Sequence, residues 1–208
     1  MRGFTWAQYT LGPTAAVALT ALLLQIRSTN PKSKSIDRSA PAIRCLILSV
    51  LVFGVGGLLG LFVDGGDTRT PAHYHGVIAG VTLALMGLAF LEFLPALGRP
   101  VPSRRRMAWT VGLFGWGQLA ACMGLFLAGG HGAPRKVAGA DQGLTEWAAF
   151  AGMGLNGLGG LVAVVGGILF VWTMAVALIR PGMISQEEGA ASRLEAGLGA
   201  SGRGSVGK

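Results

Sequence analysis

A chain of 208 residues that is 51% hydrophobic and only 12% charged is not an ordinary soluble domain, which carries about twice that share of charge. Its net charge of +8 and pI near 10.5 would suggest nucleic acid in a soluble protein. Here no zinc-finger spacing and no interleaving of basic with aromatic residues accompanies them, and the cations gather between long uncharged windows, as expected of cytoplasmic loops in a multi-spanning membrane protein.

The first window covers residues 7–25. It is longer than an ordinary signal core, contains Pro13 and is followed by basic residues instead of a small-residue cleavage site, so it reads as a spanning helix. A basic stretch follows, with Arg27, Lys32, Lys34, Arg38 and Arg44 against Asp37. The second window is 45–63, and the loop after it carries Asp64, Asp67 and Arg69. The third, 76–91, continues past Glu92 towards Pro95 and leads to Arg99, Arg104, Arg105 and Arg106. The fourth is 107–128. After a loop of mixed charge, the fifth, 147–179, is longer than a bilayer needs, which places its start in an outer loop or at the interface. Putting both basic loops in the cytoplasm gives an all-α membrane protein of five transmembrane helices, N-terminus outside and C-terminus cytoplasmic. Residues 1–180 form the helical domain. Residues 181–208, rich in Gly, Ser, Ala and charge, read as a flexible cytoplasmic tail with a weak amphipathic turn over 192–198.

Two features inside the helices carry information. Glycine is abundant: Gly54, Gly56, Gly57 and Gly60 lie in the second helix, and Gly152, Gly154, Gly157, Gly159, Gly160, Gly166 and Gly167 in the fifth. Such residues let helices approach closely or leave room for a flat cofactor, and composition does not choose between the two. Cys45 and Cys122 are single and far apart along the chain, and neither reads as half of a disulfide or a metal site.

The segment from Asp67 to Gly76 is the most distinctive. Pro71 suits a first helical turn, where its missing N–H is not needed. His73 and His75 follow, and histidine is expensive in a membrane and usually functional there. At i and i+2 the two point about 200° apart around a helix. They cannot easily share one metal ion, but each can reach a different flat cofactor, and imidazole is an axial ligand of heme iron. The plainer alternative is an interfacial pair that is merely hydrogen-bonded. A heme near this surface needs cations for its propionates. Arg135 and Lys136 after Pro134, and Arg69 before the histidines, are the candidates, unless they are only solvated loop charges.

Asp67-Thr68 followed by His73-Tyr74-His75 resembles the opening of the tenth helix of heme-copper oxidase subunit I. The likeness extends over roughly residues 11–180. Gly12-Pro13-Thr14 resembles the Pro-Thr of the eighth helix. Phe53 to Gly60 resembles the glycine-rich end of the ninth, and Phe93-Leu94-Pro95 the end of the tenth. Gly124 to Lys136 resembles the end of the eleventh with its Pro-Arg-Arg loop. The resemblance implies that His73 holds a high-spin heme and His75 a low-spin heme. It also implies that Arg135 and Lys136 contact propionates, and that the membrane is the bacterial inner membrane. Departures are equally clear. The chain has 3 histidines in all, so copper ligands and the opposite heme ligand are lacking. The family's proton-channel lysine corresponds to about Val17, and its Arg-Arg pair is Arg135-Lys136. The implied function is that of a C-terminal piece of a split oxidase-like subunit. A larger membrane subunit would supply the copper site and the remaining ligands, cytochrome c or quinol the electrons, and oxygen or nitric oxide would be reduced. Two alternatives stand beside it: a non-catalytic heme-binding electron-transfer subunit, and a heme-free scaffold or assembly subunit of a respiratory complex.

Overall fold

The computed structural model describes residues 41–63, 65–137 and 139–180, together with Val17, Thr20, Ala21 and Leu24, which are helical. The chain divides into two units, Met1–Arg38 and Ser39–Lys208, and the fold below is that of the second. The expected first helix lies mostly outside the described residues, and the expected tail with its amphipathic turn lies wholly outside them.

Among the described residues four helices are long and apolar enough to cross a membrane. Helix α1 spans Pro41–Leu59 and ends in a tight 3-10 turn, Gly60–Phe62. Helix α2 spans Arg69–Leu88, widens into a π-helical turn over Ala89–Phe93 and closes with Leu94–Ala96. Helix α3 spans Arg104–Gly130, and α4 spans Trp147–Ile179. The described residues contain no strand, only an isolated bridge between Asp67 and Pro134. A spanning segment must satisfy its own backbone, which helices do.

Two boundaries reach beyond the hydropathy windows or sharpen them. Helix α2 begins at Arg69, within the polar stretch, because the Asp67 carboxylate accepts the Arg69 N–H at 2.8 Å and Pro71 has no N–H to satisfy. Both histidines therefore sit in its first two turns. Helix α4 is continuous from Trp147, so of the two expectations for its start, a loop or the interface, the loop is absent; 33 residues extend about 50 Å, beyond a core of about 30 Å. The π turn of α2 also has a local cause. Pro95 offers no N–H to the carbonyl four residues earlier, and the ladder widens just upstream. Beyond it Gly98, at φ 63°, reverses the chain while Arg99 N–H donates to the Leu94 carbonyl and Gly98 N–H to that of Pro95.

Glycine draws the helices together along two seams. In the α1–α2 seam, a Cβ on Gly56 would stand 2.5 Å from the Val77 backbone nitrogen, and one on Gly80 would stand 2.5 Å from Cβ of Phe53. In the α3–α4 seam the contacts are reciprocal: Gly117 and Gly124 meet the backbones of Ala163 and Asn156, while Gly152, Gly159 and Gly166 meet those of Ala128, Ala121 and Phe114. The seven-residue spacing along each helix keeps these positions on one line. Gly54, Gly57, Gly154, Gly157, Gly160 and Gly167 meet nothing within 4 Å of an added Cβ. One set of these glycines packs helix against helix, and the other lies on open helix faces.

Candidate functional site

The site begins with a stitched pair of loops. Thr68 N–H donates to the Ala133 carbonyl at 3.0 Å, Arg135 N–H to Gly66 at 2.9 Å, and the buried Thr68 hydroxyl to Leu125 at 2.7 Å. A Cβ on Gly129 would strike Arg69 and Thr68, so α3 approaches the start of α2 to within backbone contact. Helix α3 ends there through Gly132, at φ 85°, with Ala133 N–H donating to the Ala128 carbonyl. The first turn of α2 is thereby fixed against α3, and with it the azimuth of the histidines.

His73 turns into the α1–α2 seam. Its ring lies over Gly60, where an added Cβ would stand 2.6 Å from Nδ1. Nδ1 is 2.8 Å from the Gly56 carbonyl oxygen. A carbonyl oxygen can only accept, so the bond places a proton on Nδ1, and in the neutral imidazole the lone pair is then on Nε2. A backbone carbonyl that fixes the tautomer and orientation of an imidazole is the usual outer support of a metal-ligating histidine. His75 is exposed, has no hydrogen-bond partner among the described residues, and stacks obliquely on Tyr74 at a centroid distance of 4.9 Å. One imidazole is held by its own chain, and the other is presented outward.

The cations divide. Arg69 is engaged by Asp67: Nε donates to Oδ2 at 2.9 Å and a terminal guanidinium nitrogen at 2.6 Å. This guanidinium, bonded to the Asp67 carboxyl, is the main reason that carboxyl lies below its ordinary pKa; partial burial opposes it, while the Arg69 N–H and the charges of Arg69 and Arg135 add to it. Arg135 and Lys136 instead line an open cavity of about 430 Å³ with Pro71, Tyr74 and Met153. Lys136 has φ 65°, a left-handed turn that a non-glycine residue adopts at a cost of roughly 1 kcal/mol. Neither histidine lines that cavity, although Tyr74 stands between them in the chain. His131 is apart from this group; it is exposed, with Nδ1 2.9 Å from the Leu127 carbonyl at the close of α3. Cys45 and Cys122 are free and buried in separate parts of the core.

Gly56 and Gly60 are the site residues whose roles sequence reasoning does not distinguish. They stand among many intrahelical glycines, and only the crossing of α1 over α2 singles them out. Asp67 and Thr68 are visible in the sequence as a motif but without a role. The structure gives Asp67 the Arg69 N–H and guanidinium, and Thr68 the Leu125 carbonyl.

No family model matches the chain. It is similar to an uncharacterized protein of Rickettsia prowazekii, 28% identical over 137 residues, which are 61% of this chain and 26% of that protein. It is also similar to an uncharacterized protein of Aquifex aeolicus, 45% identical over 53 residues, 26% of this chain and 14% of that protein. The chain thus spans about a quarter or less of the length of these bacterial relatives.

Proposed function

We propose that this chain is a heme-ligating membrane subunit of a heme-copper-oxidase-like respiratory complex in a bacterial inner membrane, with its arginine-rich end cytoplasmic and its histidine end outside. The observation that carries the reading is the His73 imidazole, fixed by the Gly56 carbonyl at 2.8 Å and seated on Gly60 so that Nε2 keeps its lone pair. In this reading His73 would hold a high-spin heme and His75 a low-spin heme, and Arg135 and Lys136, which line an open cavity, would be available to propionates. Such hemes, when bound, would supply electron transfer and the binding of oxygen or nitric oxide. This chain's part is to orient the His73 imidazole, present that of His75, hold cations at the outer rim and pack the helices that carry them. Copper and the remaining ligands come from a larger partner subunit, and cytochrome c or quinol donates electrons. Arg69, held by Asp67, serves the loop more directly than a propionate.

The test is made on the assembled complex. A pyridine hemochrome assay with a metal count should find heme and copper. His75→Ala should remove the low-spin spectrum, since a six-coordinate iron loses a strong ligand. His73→Ala should remove the high-spin signal together with carbon monoxide or cyanide binding. Heme on the complex with only the low-spin component would favour an electron-transfer subunit. Unchanged heme content and spectra in both variants, or a stable heme-free monomer in mild detergent, would leave the scaffold reading.

A further inference from the structure

The opposite end of the bundle has a different character. Between the start of α3 and the end of α4 lies an open cavity of about 770 Å³, lined by Arg105, Arg106 and Arg180 together with Trp109, Trp172 and Thr173. Among the described residues no acidic side chain lines it. Arg105 and Arg106 do not serve α3, because cations in a first turn oppose the helix dipole, whereas Arg180 caps the C-terminus of α4. Trp109 and Trp172 are 59% and 69% exposed, as aromatic side chains at a bilayer interface are. Thr173 is only 2% exposed, and its hydroxyl has no hydrogen-bond partner among the described residues, whereas the neighbouring Thr110 bonds the Arg106 carbonyl at 2.9 Å. Thr173 thus adds, to the wall of a cavity with a basic rim, a hydroxyl that is without a partner among the described residues.

From the rim, the tryptophans and this hydroxyl together, we infer that the cavity between α3 and α4 at the arginine end binds the headgroup of an anionic glycerophospholipid. The phosphate sits among the guanidiniums and the acyl chains lie along Trp109, Leu169 and Trp172. Basic pockets between transmembrane helices have this chemistry, and a lipid, unlike a free anion, satisfies both the charged rim and the apolar wall. The inference rests on the four helices spanning a bilayer and is independent of heme.

The experiment uses the full chain, or the complex it purifies with, in mild detergent supplemented with defined lipids and read by native mass spectrometry. Phosphatidylglycerol should be retained at least tenfold over phosphatidylcholine. The triple variant R105Q/R106Q/R180Q should lose that preference, at roughly fivefold per arginine. R135Q/K136Q, at the other end, should keep it. In parallel, photoactivatable phosphatidylglycerol on the unaltered protein should crosslink within residues 103–110 and 169–180, a readout that does not depend on any variant folding. Four results would overturn the inference: equal retention of the two lipids, equal loss in R135Q/K136Q, crosslinks mapped elsewhere, and displacement of the lipid by millimolar inorganic phosphate. Binding that appears only after residues 181–208 are removed would give the cavity to the chain's own tail and equally overturn it.

Discussion

The two glycine seams use the same device for different ends. In the α3–α4 seam, five glycines at seven-residue spacing bring backbone against backbone, from Gly152 beside Ala128 to Gly166 beside Phe114. In the α1–α2 seam the approach is as close at Gly56 and Gly76, but one turn further along the space over Gly60 is filled by the His73 ring. The first seam is a joint; the second is a joint with an imidazole built into it. Removing a side chain serves packing in one place and orients a ligand in the other, and the difference is visible only in what occupies the gap.

The comparison breaks most readily at the joint. Gly159→Leu places carbon where the Ala121 backbone nitrogen is 2.5 Å away, and neither helix can yield without sliding. A loss at or beyond the upper end of the range typical of overpacking, about 3 kcal/mol, is expected as a lowered thermal midpoint in detergent. Gly157→Leu, on the open face of the same helix, should change the isolated chain by under about 0.5 kcal/mol. Equal damage from both would mean that the seam is not where α3 and α4 meet.

Gly60→Ala sharpens the other side. The new methyl would stand 2.6 Å from His73 Nδ1, so the ring must move and the bond to Gly56 is lost. About 1 kcal/mol of stability should go with it. On the assembled complex the high-spin signal should fall while the low-spin signal stays. Gly57→Ala, which meets nothing within 4 Å, is the matched control. A normal high-spin spectrum in Gly60→Ala would separate the seam from ligand placement.

Thr68→Val tests whether α3 fixes the histidine turn. Its hydroxyl bond to the Leu125 carbonyl, 2.7 Å and buried, should be worth about 1 kcal/mol, measured by thermal unfolding. The smallest effect belongs to Asp67. Its folded pKa is depressed, so its contribution is fully present above the ordinary carboxylate value of about 4 and is lost as pH falls through the lower folded value. The loop should therefore loosen only in strong acid, by about 1 kcal/mol or less. Asp67→Asn should flatten the acid limb of stability against pH. A variant with the same acid limb as the parent would assign that limb to another group.

Charge and hydropathy make α1, α3 and the body of α2 legible in the sequence, because a segment without charges that is long enough for a bilayer has few other uses. The His73–His75 opposition is legible too, since helical pitch alone separates i from i+2. The start of α2 is not legible by hydropathy: the residues that begin it are polar, and the helix forms there because Asp67 takes the Arg69 N–H. Nor is the unbroken start of α4, since no residue within 147–155 marks where a bilayer begins. The sequence by itself determined which segments are apolar enough to span and which residue types could ligate or bind anions. Only the tertiary structure decided which glycines are joints, that His73 and not His75 is anchored by its own chain, and that Arg69 belongs to Asp67 while Arg135 and Lys136 line a cavity. The reason is physical: composition fixes transfer from water to lipid residue by residue, but the role of a missing Cβ, an imidazole nitrogen or a guanidinium depends on which atom of another helix lies within about 3 Å of it.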